Sequence, residues 1–85
     1  HNTTKEEISR NYTALGAKRF QEGFALHEVI SSLLLIKKEI WDKILAEKSF
    51  QDVLDLSTVF NLSRRIAQFF DRALYFTVCG YEEES

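Results

Sequence analysis

The chain of 85 residues contains no proline and only three glycines, so few positions in it interrupt a helix. Proline breaks a helix because it lacks a backbone N–H, and glycine often ends one because it adopts the left-handed conformation at little cost. Two of the glycines, Gly23 and Gly80, therefore predict helix ends. The sequence predicts an all-α fold, a three-helix antiparallel arrangement with short connections.

The first helix is expected from Lys5 to Glu22. Thr4 and Glu7 have the spacing of a capping box, in which each side chain accepts a hydrogen bond from the backbone N–H of the other residue. Apolar residues then recur along the helix at helical spacing. Gly16 lies near this apolar stripe, where the missing side chain would let another helix approach closely.

The second and third helices carry apolar residues on more than one face, whereas an ordinary surface helix has a single apolar stripe. The second helix is expected from Leu26 to Glu47. The third is expected to begin after Ser49 and to end near Val78, before Gly80. A helix of about 28 residues is about 42 Å long, so the third helix should extend past the second.

These two helices present more apolar surface than one short bundle can bury. Each large apolar side chain left in water forgoes about 1.5–3 kcal/mol of burial. We therefore expect a homodimer in which helices of both copies complete one bundle. The residues expected in the core or in the dimer interface are Leu33, Ile36, Ile40, Trp41, Ile44, Ile66, Phe69, Phe70 and Ala73.

The charge balance argues against two classes of partner. With 11 basic and 13 acidic residues, the formal net charge is −2, and no clustered basic surface for nucleic acid is expected. Membrane insertion is not expected either, because an apolar run such as Leu33–Ile36 has only four residues. The chain is expected to be one domain, residues 1–85, and a fragment of a larger protein because it contains no methionine.

The residues that could carry chemistry are few. Cys79 is the single cysteine, so no internal disulfide is possible and a reducing, cytoplasmic setting is expected. No cysteine and histidine residues have the spacing of a metal site, and no glycine-rich loop could hold phosphate. No set of nucleophile, base and orienting residue stands out. The sequence thus predicts that the chain is not an enzyme and that it binds no cofactor and no metal.

His27 supports one alternative. The segment from Leu26 to Ser31 resembles the phospho-acceptor box of histidine kinases, in which an acidic residue follows the histidine as Glu28 does here. The box usually continues with a basic residue and a proline, and this chain has Val29, Ile30 and Ser31 instead. The competing interpretation is an exposed histidine in the first turn of a helix.

A broader resemblance extends from Tyr12 to Glu82. In the segment YTALGAKRFQEGFALHEV, Arg19 precedes Gly23 by four residues, and Leu26 and Glu28 open the next helix. With Phe70-Asp71-Arg72-Ala73 near the end, this pattern resembles the N-terminal domain of RsbT co-antagonist proteins. Ala25 departs from it, because a polar cap is common there.

The resemblance implies an all-helical regulatory or sensory input domain. Its relatives precede STAS domains in stress-signalling scaffolds, or PAS and kinase domains in sensor proteins. We therefore expect a non-catalytic input and dimerisation module that contacts protein partners through a following output domain. Two alternatives stay open, namely phosphotransfer through His27 and a small-molecule sensor. Its aromatic pocket would be formed by Phe69, Phe70, Tyr75, Phe76 and Tyr81.

Overall fold

A computed structural model describes residues 4–47 and 53–85 of the chain. It contains three helices, α1 (Lys5–Gln21), α2 (Leu26–Glu47) and α3 (Val53–Glu84). No strand occurs among the described residues. The predicted all-α, three-helix fold is therefore confirmed.

Local hydrogen bonds explain both ends of α1. The Thr4 hydroxyl accepts from the Glu7 N–H at 3.1 Å, and the Thr4 N–H donates to the Glu7 carboxylate at 2.9 Å, which confirms the predicted capping box. At the other end Gly23 has a φ of 89°. Its N–H donates to the Phe20 carbonyl and the Phe24 N–H donates to the Arg19 carbonyl. This is the Schellman arrangement, which stops the helix at Gly23 as predicted.

The start of α2 lies where the sequence predicts it, although Ala25 offers no side-chain cap. Glu28 compensates in part, because its carboxylate accepts a hydrogen bond from the Ala25 N–H at 2.8 Å. This is one half of a capping box, supplied from the third position of the helix. The acidic side chain also lies near the positive end of the helix dipole.

The predicted end of α3 near Val78 is wrong, because the helix continues through Gly80 to Glu84. Gly80 is buried against α1, and a Cβ atom there would lie 2.8 Å from the Thr13 carbonyl carbon. The glycine therefore serves a close helix contact and not a helix end. At 32 residues α3 is about 48 Å long. The predicted start of this helix after Ser49 lies outside the described residues.

Helix α3 lies between the other two helices. Ring contacts pair Tyr12 with Phe69 and Phe20 with Tyr81, so α1 and α3 run parallel. Helix α2 is antiparallel to both, and its contact with α1 is restricted to a small area. The main packing is therefore between the first and the last helix.

Apolar side chains from all three helices form the core. Ile8, Val29, Leu33, Phe70 and Ala73 are buried. Edge-to-face contacts join Phe69 to Tyr12 and to Phe70 at 5.8 and 5.3 Å between ring centroids. Within the described ranges, no helix combines the length and the apolar character that a membrane span requires.

Candidate functional site

Helix α2 leaves much of its apolar surface in contact with solvent. Ile36 and Ile40 are 45% and 41% exposed, and Leu35 is 55% exposed. Leu34 and Leu45 are exposed as well. A monomeric chain can tolerate scattered apolar residues on its surface. Ile36 and Ile40, however, lie one turn apart on one face of α2, and this face is a candidate for protein contact.

The dimensions of the whole chain agree with an incompletely covered fold. Its accessible surface is 6376 Å², whereas a compact monomer of 9.9 kDa has about 5,200 Å². The radius of gyration is 15.3 Å, against about 12 Å for a compact domain of this length. The chain therefore exposes about 1,200 Å² more than a compact domain of its mass.

A cleft of about 560 Å³, the α1/α2 groove, lies between the second half of α1 and the first half of α2. Its apolar residues include Leu15, Phe24 and Ile36, and the buried Val29 and Leu33 also line it. Its charged lining residues are Arg19, Glu22 and Glu28. The groove is large enough to receive a helix face, whose anchor residues would lie three and four positions apart.

Arg19 organises the rim of the α1/α2 groove. Its guanidinium forms an ion pair with Glu22 at 2.6 Å and lies over the Phe24 ring, 5.8 Å from the ring centroid. Both ion-pair side chains are about one-third exposed, so the pair contributes little to stability. The contact of Arg19 with the Phe24 ring holds Phe24 beside the groove.

Tyr81 connects the end of α3 to the turn between α1 and α2. Its hydroxyl donates a hydrogen bond to the Phe24 carbonyl oxygen at 2.6 Å, and its ring packs edge-on against Phe20 at 5.2 Å. Gln21 also donates to Glu84 at 3.3 Å. A movement of the turn or of the groove rim would therefore be transmitted to the end of α3 through these contacts.

A second, smaller cleft, the α2/α3 groove, has a volume of about 250 Å³. Its lining residues are Leu34, Lys37, Lys38, Trp41, Ser63, Ile66 and Ala67. Lys38 forms an ion pair with Asp42 at 2.6 Å, and this hydrogen bond raises the pKa of the Lys38 amine above its ordinary value.

The residues predicted for the core or the dimer interface have three kinds of environment. Leu33, Phe70 and Ala73 are buried within one copy. Trp41, Ile44, Ile66 and Phe69 are half-buried. Ile36 and Ile40 are exposed. Their role in a dimer interface stays a prediction, because the structure contains a single chain.

The aromatic residues suggested for a ligand pocket pack mainly on one another or on α1. The Tyr75 and Phe76 rings pack edge-on with their centroids 5.1 Å apart, and the Phe69 and Phe70 rings also pack edge-on. Phe76 and Tyr75 each line a separate cleft, whereas the aromatic residues that line the α1/α2 groove and the α2/α3 groove are Phe24 and Trp41. Sequence reasoning missed Phe24 and Lys37 as groove residues, and it assigned Tyr81 to an aromatic pocket, whereas the Tyr81 hydroxyl contacts the turn at Phe24. The segment from Arg19 to Glu28, with Gly23, was the signal that pointed toward this turn.

His27 is exposed in the first turn of α2. Its role as a phospho-acceptor stays a prediction. Cys79 is half-buried, and a hydrogen bond with its thiol raises the pKa of Tyr75. Among the described residues, no three His, Cys, Asp or Glu side chains come together as metal ligands would.

No curated protein and no solved structure matches the chain. One family of regulatory domains, which is not known to be catalytic, matches residues 2–85. This match confirms the resemblance found in the sequence and associates the chain with stress-response signalling. The chain belongs to the family described as the RsbT co-antagonist protein rsbRD N-terminal domain.

Proposed function

We propose that this chain is a non-catalytic input module that works as a homodimer, paired through α2 and the α1/α2 groove. The single observation that carries the proposal is the exposure of Ile36 and Ile40 beside an apolar groove within the same helix hairpin. In a twofold arrangement, these side chains of each copy would enter the groove of the other.

The available area suits a second copy of the chain. A standard protein interface buries about 800 Å² on each partner, and the chain exposes about 1,200 Å² over its whole surface beyond the expectation for its mass. The groove residues and the exposed isoleucines lie on one flank of the fold, so a self-complementary contact is geometrically simple. The α2 helix of the partner would cover the groove that α1 and α2 leave open.

Helix α3 is the proposed route of the signal. It packs on both other helices, and Tyr81 ties its last turns to the α1–α2 connection. A change at the dimer face would therefore shift α3 relative to α1, and a following output domain would receive that shift as its protein partner. We propose a cytoplasmic setting, which the single cysteine supports.

Sedimentation equilibrium tests the dimer face directly. We expect the wild-type chain to be a dimer at tens of micromolar and Ile36→Glu to be monomeric, because a buried unpaired charge is costly. Leu35→Glu is the control, since Leu35 is turned about 100° away from Ile36 around α2 and is also exposed, at 55%. A wild-type monomer at 100 µM, or equal dissociation of both variants, contradicts the proposal.

Phosphotransfer through His27 is a second candidate, supported by the exposure of its imidazole. Incubation with a phosphorylated receiver domain tests it. If the chain is the proposed non-catalytic input module, we expect no phosphoryl label on the wild-type chain. Label that appears on the wild type and is lost in His27→Ala would establish the phosphotransfer role instead.

A further inference from the structure

We propose that the α2/α3 groove binds a small apolar molecule that carries a carboxylate, with Lys37 as the residue that recognises the charge. This site is separate from the proposed dimer face. Leu34 and Trp41 line the α2/α3 groove, whereas Ile36 lines the α1/α2 groove on the other flank of α2.

The position of Lys37 in the helix is the first observation. It lies four residues after the buried Leu33 and four residues before Trp41, so it shares the α2 face that packs toward α3. Its side chain is half-buried. Of the other α2 residues that line the groove, Leu34 and Trp41 are apolar and Lys38 is a second cation.

The charge of Lys37 is uncompensated within residues 4–47 and 53–85, where it forms no ion pair. Its neighbour Lys38 differs, because Asp42 neutralises it at 2.6 Å. An unpaired ammonium group at the edge of an apolar cleft can form a charge-assisted hydrogen bond with the carboxylate of a ligand. The groove therefore presents one available positive charge to a ligand.

The remaining lining residues define the rest of the ligand. Leu34, Trp41 and Ile66 provide an apolar and aromatic surface, and Ser63 adds one hydroxyl from α3. An apolar cleft with a few polar groups is typical of small-molecule sites. At about 250 Å³ the groove is smaller than the roughly 300–1,000 Å³ that accommodates drug-sized ligands, which favours a short alkyl or single-ring carboxylate.

Trp41 makes the test specific, because it is the only tryptophan in the sequence and it lines the groove. Octanoate, 1-octanol and octylammonium are titrated against the full chain while Trp41 emission is recorded. We expect a saturable change with octanoate. The uncharged and cationic probes should bind about tenfold more weakly, because they lack the charge-assisted hydrogen bond to Lys37.

Variants of Lys37 complete the experiment. Lys37→Gln should bind octanoate about tenfold more weakly, whereas Lys37→Arg should retain binding and the exposed control Lys43→Gln should match the wild type. Equal affinity for octanoate and 1-octanol on the wild-type chain overturns the proposal even if a variant fails to fold. Unchanged octanoate binding by a folded Lys37→Gln also overturns it.

The same titration on Ile36→Glu separates this site from the dimer. Octanoate binding that persists in a monomeric Ile36→Glu supports a site within one copy. Loss of binding together with loss of the dimer contradicts a separate α2/α3 site. A wild-type monomer that binds octanoate would overturn the proposed dimer and leave the ligand site standing.

Discussion

At the scale of single residues, the contact between α1 and α3 depends on two glycines. A Cβ atom at Gly16 would lie 2.7 Å from the Tyr81 backbone nitrogen, and Gly80 approaches the Thr13 backbone equally closely. Both glycines are buried. The two helices therefore touch through their backbones, with no side chain between them at the crossing.

Gly80→Ala should destabilise the chain by about 2 kcal/mol, because overpacking at a rigid contact costs about 1–3 kcal/mol. In a solvent-exposed helix the same change would stabilise by about 1 kcal/mol, since alanine is the better helix former. A lower urea midpoint for Gly80→Ala than for the wild type therefore indicates the close helix contact, and a higher midpoint indicates a solvent-exposed position. A stabilised Gly80→Ala would show that α1 does not pack on Gly80.

Thr77 lies in the same crossing and is 0% exposed, yet its hydroxyl has no hydrogen-bond partner among the described residues. An unpaired buried hydroxyl is unfavourable. Thr77→Val keeps the shape of the side chain and removes the polar group. We expect it to stabilise by about 1 kcal/mol in chemical denaturation. Thr77→Ser, which keeps the hydroxyl and opens a methyl-sized cavity, should destabilise the chain. If Thr77→Val is destabilised as much as Thr77→Ser, the Thr77 hydroxyl is not an unpaired buried group.

At the scale of the elements, the end of α3 is attached to the α1–α2 turn and not only to the face of α1. Tyr81 provides that attachment through its hydrogen bond to Phe24 and its ring contact with Phe20. Because Phe24 also lies under Arg19 at the rim of the α1/α2 groove, the groove and the end of α3 share one connected set of contacts.

Tyr81→Phe should lower the free energy of unfolding by about 1 kcal/mol, because it removes one hydrogen bond and keeps the ring contact. Tyr75→Phe is the control, since Tyr75 is 64% exposed on the same helix and should change stability very little. Thermal unfolding followed by circular dichroism measures both. Equal effects of the two substitutions would mean that the Tyr81 hydroxyl does not hold the turn.

At the scale of the whole molecule, the chain is elongated, with extents of 50 × 24 × 15 Å, and α3 defines the long axis. Such a shape leaves α2 covered on one side only. If a second copy covers the other side, folding and association are coupled, and the stability of the protein depends on its concentration.

The melting temperature of the wild-type chain should therefore rise with concentration between 5 and 500 µM, roughly as expected for a dimer that unfolds to monomers. For Ile36→Glu, the melting temperature should be lower and independent of concentration. Differential scanning calorimetry measures both. A wild-type melting temperature that stays constant across this range would show that one copy is stable without a partner.

Much of the fold follows from local signals in the sequence. The absence of proline and the capping box at Thr4 are local features, as is the left-handed conformation of Gly23, and each correctly predicted helical structure. The sequence also identified Ile36 and Ile40 as part of an apolar excess on α2. These features were readable because they depend on neighbours within a few residues along the chain.

Other features were decided only by the tertiary structure. Gly23 and Gly80 look alike in sequence, yet Gly23 ends a helix and Gly80 lies inside one, because only Gly80 has the backbone of α1 against it. The cleft that Trp41 of α2 lines together with Ile66 of α3, and the position of Tyr81 beside Phe24, likewise depend on how distant helices pack. Helix propensity acts over a turn or two, whereas these contacts join residues far apart in the chain, so no local pattern could reveal them.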